Sequence, residues 1–375
     1  MGFMVQGGWD TEVFVVGGGP AGLAAAIAAR QAGFDVTLAD AARPPIDKTC
    51  GEGIMPEGLL ALQKLGVSLP LEQGAPFNGI RFVGAGRSVD ANFVQGPGLG
   101  VRRTTLHGIL VEHAESVGVK LRWGTRVSGI NGDGVLVEGK QVRSRWVIGA
   151  DGENSWVRRW AGLDVVDPKI RRYGFRRHYK VAPWSPFVEV YWTERGQIYV
   201  TPIGPKEVCV AMISRYTKVR LDDLLADCQE FSEHLGDAPA VTRELGAVST
   251  TRVLPAVYAG SCVLLGEASG SVDAITGDGL TMAFQQALAL AEALQNNDLE
   301  SYQQAHRRIR KLPRLMSSLM LLMDAHPWLR RRSLHAMSRD PKLFDQMLAI
   351  HTGAINPLAF GVSGTLSLSW GLLTA

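Results

Sequence analysis

The sequence contains only four cysteines, and no two of them form a Cys-x-x-Cys pair; they are Cys50, Cys209, Cys228 and Cys262. This spacing argues against a zinc ribbon, because structural zinc sites draw on closely spaced cysteine pairs. It also argues against a disulfide scaffold, which small secreted domains need and a chain of 375 residues does not. We therefore expect a protein of the reducing cytoplasm.

A strong charge of either sign is also missing. The formal net charge is +3 at pH 7, and a balance so close to neutral does not indicate a nucleic-acid partner. The N-terminus shows no basic segment followed by an apolar stretch, so the sequence predicts no signal peptide. With 46% hydrophobic and 20% charged residues, the composition is that of a globular protein, and the length favours about two domains.

The first hundred residues contain a dinucleotide-binding pattern. A β-branched run, the turn "GGGPAG" (17–22), a helix-forming run and a second strand ending at Asp40 follow one another. Gly17, Gly19 and Gly22 fill G-x-G-x-x-G, which permits a tight turn, the approach of a pyrophosphate and close packing of helix on strand. The helix N-terminus offers free N–H groups to the phosphates, and Asp40 can accept hydrogen bonds from a ribose. A ligand-free glycine turn would explain the glycines alone.

Two later segments also place glycines after a strand. In "VIGADGENSWVRRWAGL" (147–163) an Asp-Gly pair precedes a helix start, which by itself also fits a helix capped by Asn154 or Ser155. "VLLGEASGSVDAITGDGLTMAFQQALALAEAL" (263–294) joins a strand, a glycine-rich loop and a long helix. The second segment is the more specific of the two because it combines three elements in a fixed order.

Together these segments resemble the FAD-dependent monooxygenases of the p-hydroxybenzoate hydroxylase type and their relatives, the geranylgeranyl reductases and flavin-dependent halogenases. "GGGPAG" resembles their first FAD fingerprint, "GADGENSWVR" their Asp-Gly motif and "LLGEASGSVDAITGDGL" their second FAD motif. "VRRTTLHGIL" is similar to the helix that opens with a flavin-contacting arginine, here Arg103. The matches follow the expected order between residues 12 and 295.

The resemblance implies an α/β fold in which a Rossmann-like FAD-binding domain is interleaved with an antiparallel β-sheet substrate domain and followed by C-terminal helices. The expected segments are 1–77, 101–163 and 254–300 for the FAD-binding domain, 78–100 and 164–253 for the substrate sheet, and 301–375 for the C-terminal helical region.

The resemblance also implies FAD as cofactor and NAD(P)H as co-substrate. The positions that match the family's FAD-contacting segments are Gly17, Gly19, Pro20, Ala21, Gly22, Asp40, Gly51, Glu52, Gly53, Arg103, Asp151, Gly152, Gly266, Glu267, Gly277, Asp278, Gly279 and Leu280. Glu267 stands where the family usually has an aspartate that accepts a hydrogen bond from the ribityl chain, and Ala274 stands where a proline is common. Asp278 has a plainer alternative role, which is to cap the long helix.

The stretch "KTCGEGIMP" (48–56) combines a cysteine with two flanking glycines. A metal site is not indicated, because no cysteine or histidine lies at ligand spacing. In the relatives a similar cysteine-glycine stretch faces the flavin, and Gly51 and Gly53 are expected to let the backbone pass close to a flat ring. Cys50 would donate a proton in a reductase and would be only part of the wall in a hydroxylase.

The substrate sheet is expected to begin with "YGFRRHYKV" (173–181), where Arg177 and His178 point to opposite faces of a strand. His178 is the candidate catalytic base for a phenol and Arg177 a candidate substrate contact; the alternative is a basic surface strand. Tyr191, Tyr199, Thr201 and Pro202 are further candidate substrate contacts, and the alternative for the tyrosines is plain packing.

The segment "IYVTPIG" (198–204) helps to rank the relatives. It lacks both tryptophans of the halogenase segment Trp-x-Trp-x-Ile-Pro, which argues against a halogenase. It keeps Tyr199 and Pro202 of the reductases' Tyr-x-Trp-x-Phe-Pro segment, which supports a reductase in part.

Three functions follow from the resemblance. The leading one is an NAD(P)H-using FAD monooxygenase of secondary metabolism, which hydroxylates an aromatic, quinone-precursor, polyketide or phenolic-lipid substrate through a flavin hydroperoxide. The alternative is an FAD-dependent reductase of prenyl double bonds, similar to geranylgeranyl reductase. The third, a non-catalytic FAD-binding protein, is disfavoured by the intact motifs. Fold alone does not choose between the first two.

The C-terminal region combines arginine clusters with apolar runs. Residues 301–333 contain eight Lys/Arg and one acid, and residues 352–375 carry no charge. The apolar run "LMSSLMLLM" is too short to span a bilayer. The plain interpretation is a helical cap on the FAD domain; the alternative is peripheral membrane contact through these basic helices, suited to a hydrophobic substrate.

Overall fold

The computed structural model describes residues 8–164 and 170–356. Its strands, in chain order, are β1 (Thr11–Val16), β2 (Val36–Asp40), β3 (Gly53–Ile54), β4 (Gly74–Phe77), β5 (Gly79–Gly84), β6 (Arg87–Asn92), β7 (Gly98–Val101), β8 (Lys120–Trp123), β9 (Val127–Asn131), β10 (Gly134–Val137), β11 (Lys140–Gly149), β12 (Ile170–Tyr179), β13 (Val188–Trp192), β14 (Gln197–Gly204), β15 (Glu207–Ser214), β16 (Leu245–Thr251), β17 (Tyr258–Ala259) and β18 (Cys262–Leu264). Its helices are α1 (Pro20–Gln31), α2 (Pro56–Lys64), α3 (Arg103–Ser116), α4 (Trp156–Trp160), α5 (Leu221–Asp227), α6 (Gln229–Leu235), α7 (Gly279–Asn296), α8 (Leu299–Ala325), α9 (Pro327–Arg339) and α10 (Pro341–His351).

The first sheet follows the predicted strand–turn–helix–strand pattern. Its main path runs β17-β18-β11-β1-β2-β8, and β1 pairs in parallel with both β11 and β2. The apolar, β-branched residues of β1 suit such a central strand, because parallel strands are covered on both faces. Helices α1 and α7 pack against each other and contribute to the largest buried cluster, which includes Leu23, Ile27 and Phe284.

The second sheet has seven strands in the order β16-β12-β15-β14-β13-β5-β6. All of its neighbours pair antiparallel except β13 and β5, which are parallel. Successive side chains of β13 point to opposite faces. Val190 packs with the C-terminal helices, whereas Tyr191 packs with α5 and α6 on the other face. A small third sheet has the strand order β3-β7-β4. In the sequence its three strands come between β2 and β8.

The C-terminal helices α8–α10 cover one face of the seven-stranded sheet. A buried ion pair fixes α8 to that sheet: Asp324 accepts a hydrogen bond from Arg172 at 2.7 Å and one from Gln197 at 2.5 Å. The predicted α/β fold with a second, antiparallel sheet and C-terminal helices is therefore confirmed. From residue 357 onward the uncharged C-terminal segment lies outside the described residues. Within the described part, no helix is long and apolar enough to cross a membrane.

Candidate active site

A cavity of about 1000 Å³ lies where the parallel sheet, the antiparallel sheet and the C-terminal helices meet. Its volume is at the upper end of the range for ligand sites, roughly 300–1,000 Å³. The structure brings the candidate cofactor residues to the wall of this cavity from seven separate segments. Those that line it are Gly17, Gly19, Pro20, Ala21, Asp40, Gly51, Glu52, Gly53, Arg103, Asp151, Gly152, Gly266, Glu267, Gly277, Asp278, Gly279 and Leu280.

The glycines around the cavity fall into two groups. At Gly17 a Cβ would lie 2.4 Å from the Ala150 oxygen, and at Gly22 it would lie 1.8 Å from the Gly17 oxygen, so protein packing requires both. Gly22 accordingly lies beneath the cavity wall. At Gly51 and Gly279 a Cβ would meet no protein atom within 4 Å. Open space above backbone on the wall of a large cavity is what a bound cofactor would fill, so the glycines fit FAD.

The end of the cavity formed by β1 and β2 has the features of a dinucleotide site. Asp40 accepts hydrogen bonds from the backbone N–H groups of Gly18 at 2.6 Å and Ala42 at 2.7 Å. It therefore closes the glycine turn and faces the cavity at the same time. The N-terminus of α1, with Gly19 at its cap position and Pro20 following, lines the same wall. Free N–H groups at a helix start favour phosphate.

Two predicted cofactor acids have protein partners. The Asp151 carboxylate accepts hydrogen bonds from the Ser155 hydroxyl at 2.5 Å and from the Trp156 N–H at 2.7 Å, and so it helps to cap α4. Ser155 in turn accepts from Arg158, as the capping interpretation predicted. Glu267 forms a salt bridge of 2.5 Å with Lys48, and both side chains are about half exposed. Lys48 thus joins the "KTCGEG" stretch to the second glycine-rich loop.

Asp278 does not cap α7 with its side chain, contrary to the plain interpretation. Its carboxylate lies 3.2 Å from Nε2 of His351, at the end of α10. Burial opposes protonation of His351, but the charge of Asp278 and their hydrogen bond outweigh it and raise the histidine pKa. Both residues line the cavity, and each keeps a buried atom without a hydrogen-bond partner among the described residues, Asp278 Oδ2 and His351 Nδ1. Nothing in the sequence pattern indicated His351, because it lies 73 positions after Asp278.

The "KTCGEG" stretch crosses the cavity wall with Cys50 and Glu52 on it. Glu52 has a positive φ of 62°, which is uncommon for a residue with a side chain. Its buried carboxylate overcomes that strain by accepting hydrogen bonds from the Arg103 N–H at 2.9 Å, from Arg176 at 2.5 Å and from His178 at 2.7 Å. The Glu52 N–H points to the Cys50 sulfur at 3.3 Å. The Glu52 side chain therefore fixes the loop that carries the thiol.

The charges behind this loop balance one another. Burial alone would raise the pKa of Glu52, but His178, Arg103 and Arg176 together lower it below its usual value. Glu52, His178 and Cys209 also place ligand atoms within 4.8 Å of one another, as a metal site would. Arg176 already neutralises that carboxylate, however, and a cation beside a guanidinium would be repelled. We therefore interpret the cluster as a salt-bridge network.

Four candidate residues of the substrate sheet do not line the cavity. His178 is 1% exposed and uses both ring nitrogens, Nε2 toward Glu52 and Nδ1 toward Thr242 at 2.9 Å, so it is not placed to deprotonate a substrate. Arg177 points to the other face of β12, as the alternation predicted, and pairs with Asp222 at 2.8 Å.

Tyr191 donates a hydrogen bond to Glu189 at 2.7 Å on that same outer face of the sheet. Pro202 also lies off the wall, whereas Tyr199 and Thr201 line the cavity. Tyr199 donates to the Ile275 carbonyl at 2.8 Å, which ties the sheet to the loop before α7.

The part of the cavity away from the glycine turns is apolar. The seven-stranded sheet contributes Phe82 and Val190, and the C-terminal helices close it with five methionines. These are Met316, Met320, Met323, Met337 and Met347. Methionine is unbranched and flexible, so such a wall adapts to a long or irregular apolar ligand. Sequence reasoning missed these residues, although the helical spacing of Met316, Met320 and Met323 in "LMSSLMLLM" was a usable signal.

The fold and this site can be compared with known proteins. The FAD binding domain family matches residues 10–297. Menaquinone reductase of Mycobacterium tuberculosis is 29% identical over 320 residues, covering 77% of this chain and 78% of its own. The putative FAD-dependent monooxygenase YetM of Bacillus subtilis is 27% identical over 349 residues, covering 81% and 90%. Digeranylgeranylglycerophospholipid reductase of Methanosarcina mazei is 27% identical over 310 residues, covering 75% and 74%.

Solved structures show the same architecture. A flavoprotein/dehydrogenase from Cytophaga hutchinsonii superposes with a TM-score of 0.83 at 19% identity, covering 97% of this chain and all of that one. The flavin-dependent brominase Bmp2 superposes with a TM-score of 0.80 at 17% identity, covering 96% and 98%. At such low identity the likeness extends to the fold alone. Both are flavoproteins of the same overall shape.

Proposed function

This chain belongs to the FAD binding domain family and is an FAD-dependent oxidoreductase, and from that premise we propose that it reduces a carbon–carbon double bond in the isoprenoid chain of a lipid. The observation that carries the proposal is the position of Cys50. Cys50 lines the same cavity as the glycine turns that fit FAD and as the apolar part closed by the methionines of α8–α10, which we call the methionine-lined chamber. Reduction of a double bond needs a hydride on one carbon and a proton on the other, and a thiol supplies the proton.

Bound FAD would supply the hydride and would itself be reduced by NAD(P)H, the co-substrate that we expect. The residues that would hold it are the β1–α1 glycine turn for the pyrophosphate, Arg103, and the turn of Gly277 and Gly279 at the start of α7. Gly277 has a φ of 76°, a conformation that glycine adopts freely. The N-terminus of α7 favours negative charge on a ligand placed against that turn.

The chain's own residues would then orient the substrate and deliver the proton. The methionines of α8–α10 hold the apolar chain and exclude water, which keeps the thiol proton from exchanging freely with solvent. The Glu52 network fixes the loop, and the Glu52 N–H holds the Cys50 sulfur. Once the thiol has given its proton, another proton must reach Cys50 from solvent before the next turnover.

Similarity to two kinds of lipid reductase supports the same assignment. The menaquinone reductase and the digeranylgeranylglycerophospholipid reductase each match about three quarters of this chain. Hydroxylation of an aromatic ring is the second candidate function, and similarity to the putative monooxygenase over 81% of this chain favours it. The base expected for that reaction, His178, lies behind the wall and is engaged by Glu52, which weighs against it.

Anaerobic turnover separates the two functions. The purified protein, loaded with FAD, is mixed with NADPH and a menaquinone or geranylgeranyl lipid in detergent, and the lipid is examined by mass spectrometry. The proposal expects a product heavier by two hydrogens without oxygen. A parallel reaction in air tests the second function: substrate-stimulated oxygen uptake with a product heavier by one oxygen, and no saturated lipid in either reaction, would favour hydroxylation over reduction.

A further inference from the structure

The exposed side of α8 changes character along its length. In its first half Arg308, Lys311 and Arg314 are exposed, and none of the three makes a salt bridge with a described residue. Further along the same side Leu315, Leu319 and Leu322 are 48%, 39% and 48% exposed. These positions recur at the three- and four-residue spacing of one helix face. One helix therefore presents a basic strip that continues into an apolar one.

The apolar strip extends onto the next helix and borders the cavity. Trp328, near the start of α9, is 54% exposed. Leu319 and Leu322 are exposed and also line the cavity, together with Leu329. The strip is thus the rim of the methionine-lined chamber. We call the exposed residues of 308–322 together with Trp328 the α8 surface.

We propose that the α8 surface binds an anionic lipid bilayer, with Leu315, Leu319, Leu322 and Trp328 entering the boundary between headgroups and acyl chains. Large apolar side chains flanked by uncompensated basic ones are the composition that favours such an interface. The described helices include none able to span a bilayer, and the contact that we propose is a peripheral one. The occupant is bilayer lipid because the basic strip complements anionic headgroups and the chamber opens within the apolar strip.

A second copy of this chain fits the same surface less well. A symmetric dimer brings the same patch from both copies together. Arg308, Lys311 and Arg314 of one copy would then approach the same cations of the other. The exposed acid of α8, Glu300, lies in its first turn, eight residues before Arg308, and Asp324 is buried in its pair with Arg172. Like charges at an interface disfavour association.

Membrane binding depends only on the exposed side chains, whereas the delivery of a lipid from the bilayer into the chamber rests on the proposed function. The two are separable by experiment. If the protein binds vesicles but reduces no lipid, the proposal for the α8 surface stands and the proposed reaction is rejected. If the protein reduces lipid in detergent but binds no vesicle, the proposed reaction stands and the proposal for the α8 surface is rejected.

The test is co-sedimentation of the full-length, FAD-loaded protein with vesicles of phosphatidylcholine alone or mixed with phosphatidylglycerol. We expect binding to the anionic vesicles that weakens at high salt. The triple variant R308Q/K311Q/R314Q should bind them about a hundredfold more weakly, since each basic residue near an anionic surface contributes about fivefold. Its matched control is K64Q/K140Q/K206Q, which removes the same charge from exposed residues elsewhere.

The apolar strip is tested with L315S/W328S, two residues that do not line the cavity. The matched control is L71S/V94S, which replaces exposed residues outside the α8 surface. We expect the first variant to lose binding and the control to keep it. The proposal is overturned if the wild type binds neither vesicle, or if the α8 variants bind as their controls do. It is also overturned if L315S/W328S converts a dimer to a monomer in light scattering and leaves vesicle binding unchanged.

Discussion

The carboxylate of Glu52 lies 2.7 Å from Nε2 of His178, and both side chains are almost completely buried behind the cavity wall. Glu52 lies in the loop just before β3 of the small third sheet, whereas His178 lies on β12 of the seven-stranded sheet. Arg176 joins the same carboxylate and also pairs with Asp47 at 2.9 Å. This network explains how a non-glycine residue keeps a positive φ at the centre of the "KTCGEG" loop.

Replacing Glu52 with glutamine should therefore destabilise the protein strongly. Removing one partner of a buried charge pair leaves the other uncompensated, at a cost of about 3 kcal/mol in the free energy of unfolding. Urea denaturation measures it. Asp222→Asn is the control, because it breaks the exposed pair with Arg177 on the same strand and should cost less than about 1 kcal/mol. Equal losses for the two variants would contradict the network's role.

The glycines distinguish packing from cofactor binding. Gly279→Ala should leave the thermal midpoint of the apoprotein unchanged, because no protein atom lies within 4 Å of the added Cβ. It should weaken FAD binding at least tenfold, about 1.4 kcal/mol, if the ring lies against that turn. Gly22→Ala should prevent folding, since its Cβ would lie 1.8 Å from the Gly17 oxygen. Fluorescence titration measures the affinity of the Gly279→Ala variant for FAD. An unchanged affinity would show that FAD does not lie against that turn.

Stability should fall as the pH rises through neutrality, and Glu57 is one cause. Burial raises its pKa from 4.5 to about 7, helped by the charge of Asp278 and opposed by His351. A raised carboxyl pKa contributes stability that is complete below pH 4.5 and lost as the pH rises through 7.

Glu57→Gln removes this dependence. The variant should match the wild type near pH 4 and be more stable at pH 8, by on the order of 2 kcal/mol. Urea midpoints across this range measure the difference. His351→Gln serves as the companion, because the raised pKa of His351 gives stability below 6.5 that is lost at higher pH. A constant difference between Glu57→Gln and wild type at every pH would show that Glu57 does not titrate as described.

The closure of the chamber depends on Asp324. Its pairs with Arg172 and Gln197 hold α8 against the seven-stranded sheet, and all three side chains are buried. Asp324→Asn should speed hydrogen exchange in the second half of α8 and in α9, where Met323 and Leu334 pack in one cluster, and leave the β1–α1 unit protected, because that unit lies in another cluster. Uniform loss of protection throughout the chain would contradict the conclusion that Asp324 holds only the helices that close the chamber.

Local patterns predicted the cofactor half of the site, and distant contacts decided the other half. The β1–α1–β2 unit and the two later glycine loops are each continuous in sequence; spacing predicted the first as a dinucleotide site, and the family resemblance assigned the other two to FAD. The alternation of Arg177 and His178 was also predicted, but alternation does not say what covers each face. That was decided by Glu52, 126 positions away, whose buried carboxylate draws His178 away from the cavity. His351 and the methionines reach the cavity only because α8–α10 fold back over the sheet.

The most direct test of the account compares two cysteines on either side of the same loop. Cys50 lines the cavity, whereas Cys209 is buried behind the loop with its sulfur 3.8 Å from the Cys50 carbonyl oxygen. Cys50→Ser should keep bound FAD and its bleaching by NADPH, yet lose isoprenoid saturation by about a hundredfold or more, within the range that general acid catalysis contributes. Cys209→Ala should saturate the lipid at close to the wild-type rate. A Cys50→Ser protein that saturates the lipid as fast as the wild type would contradict the proposal that this thiol supplies the proton.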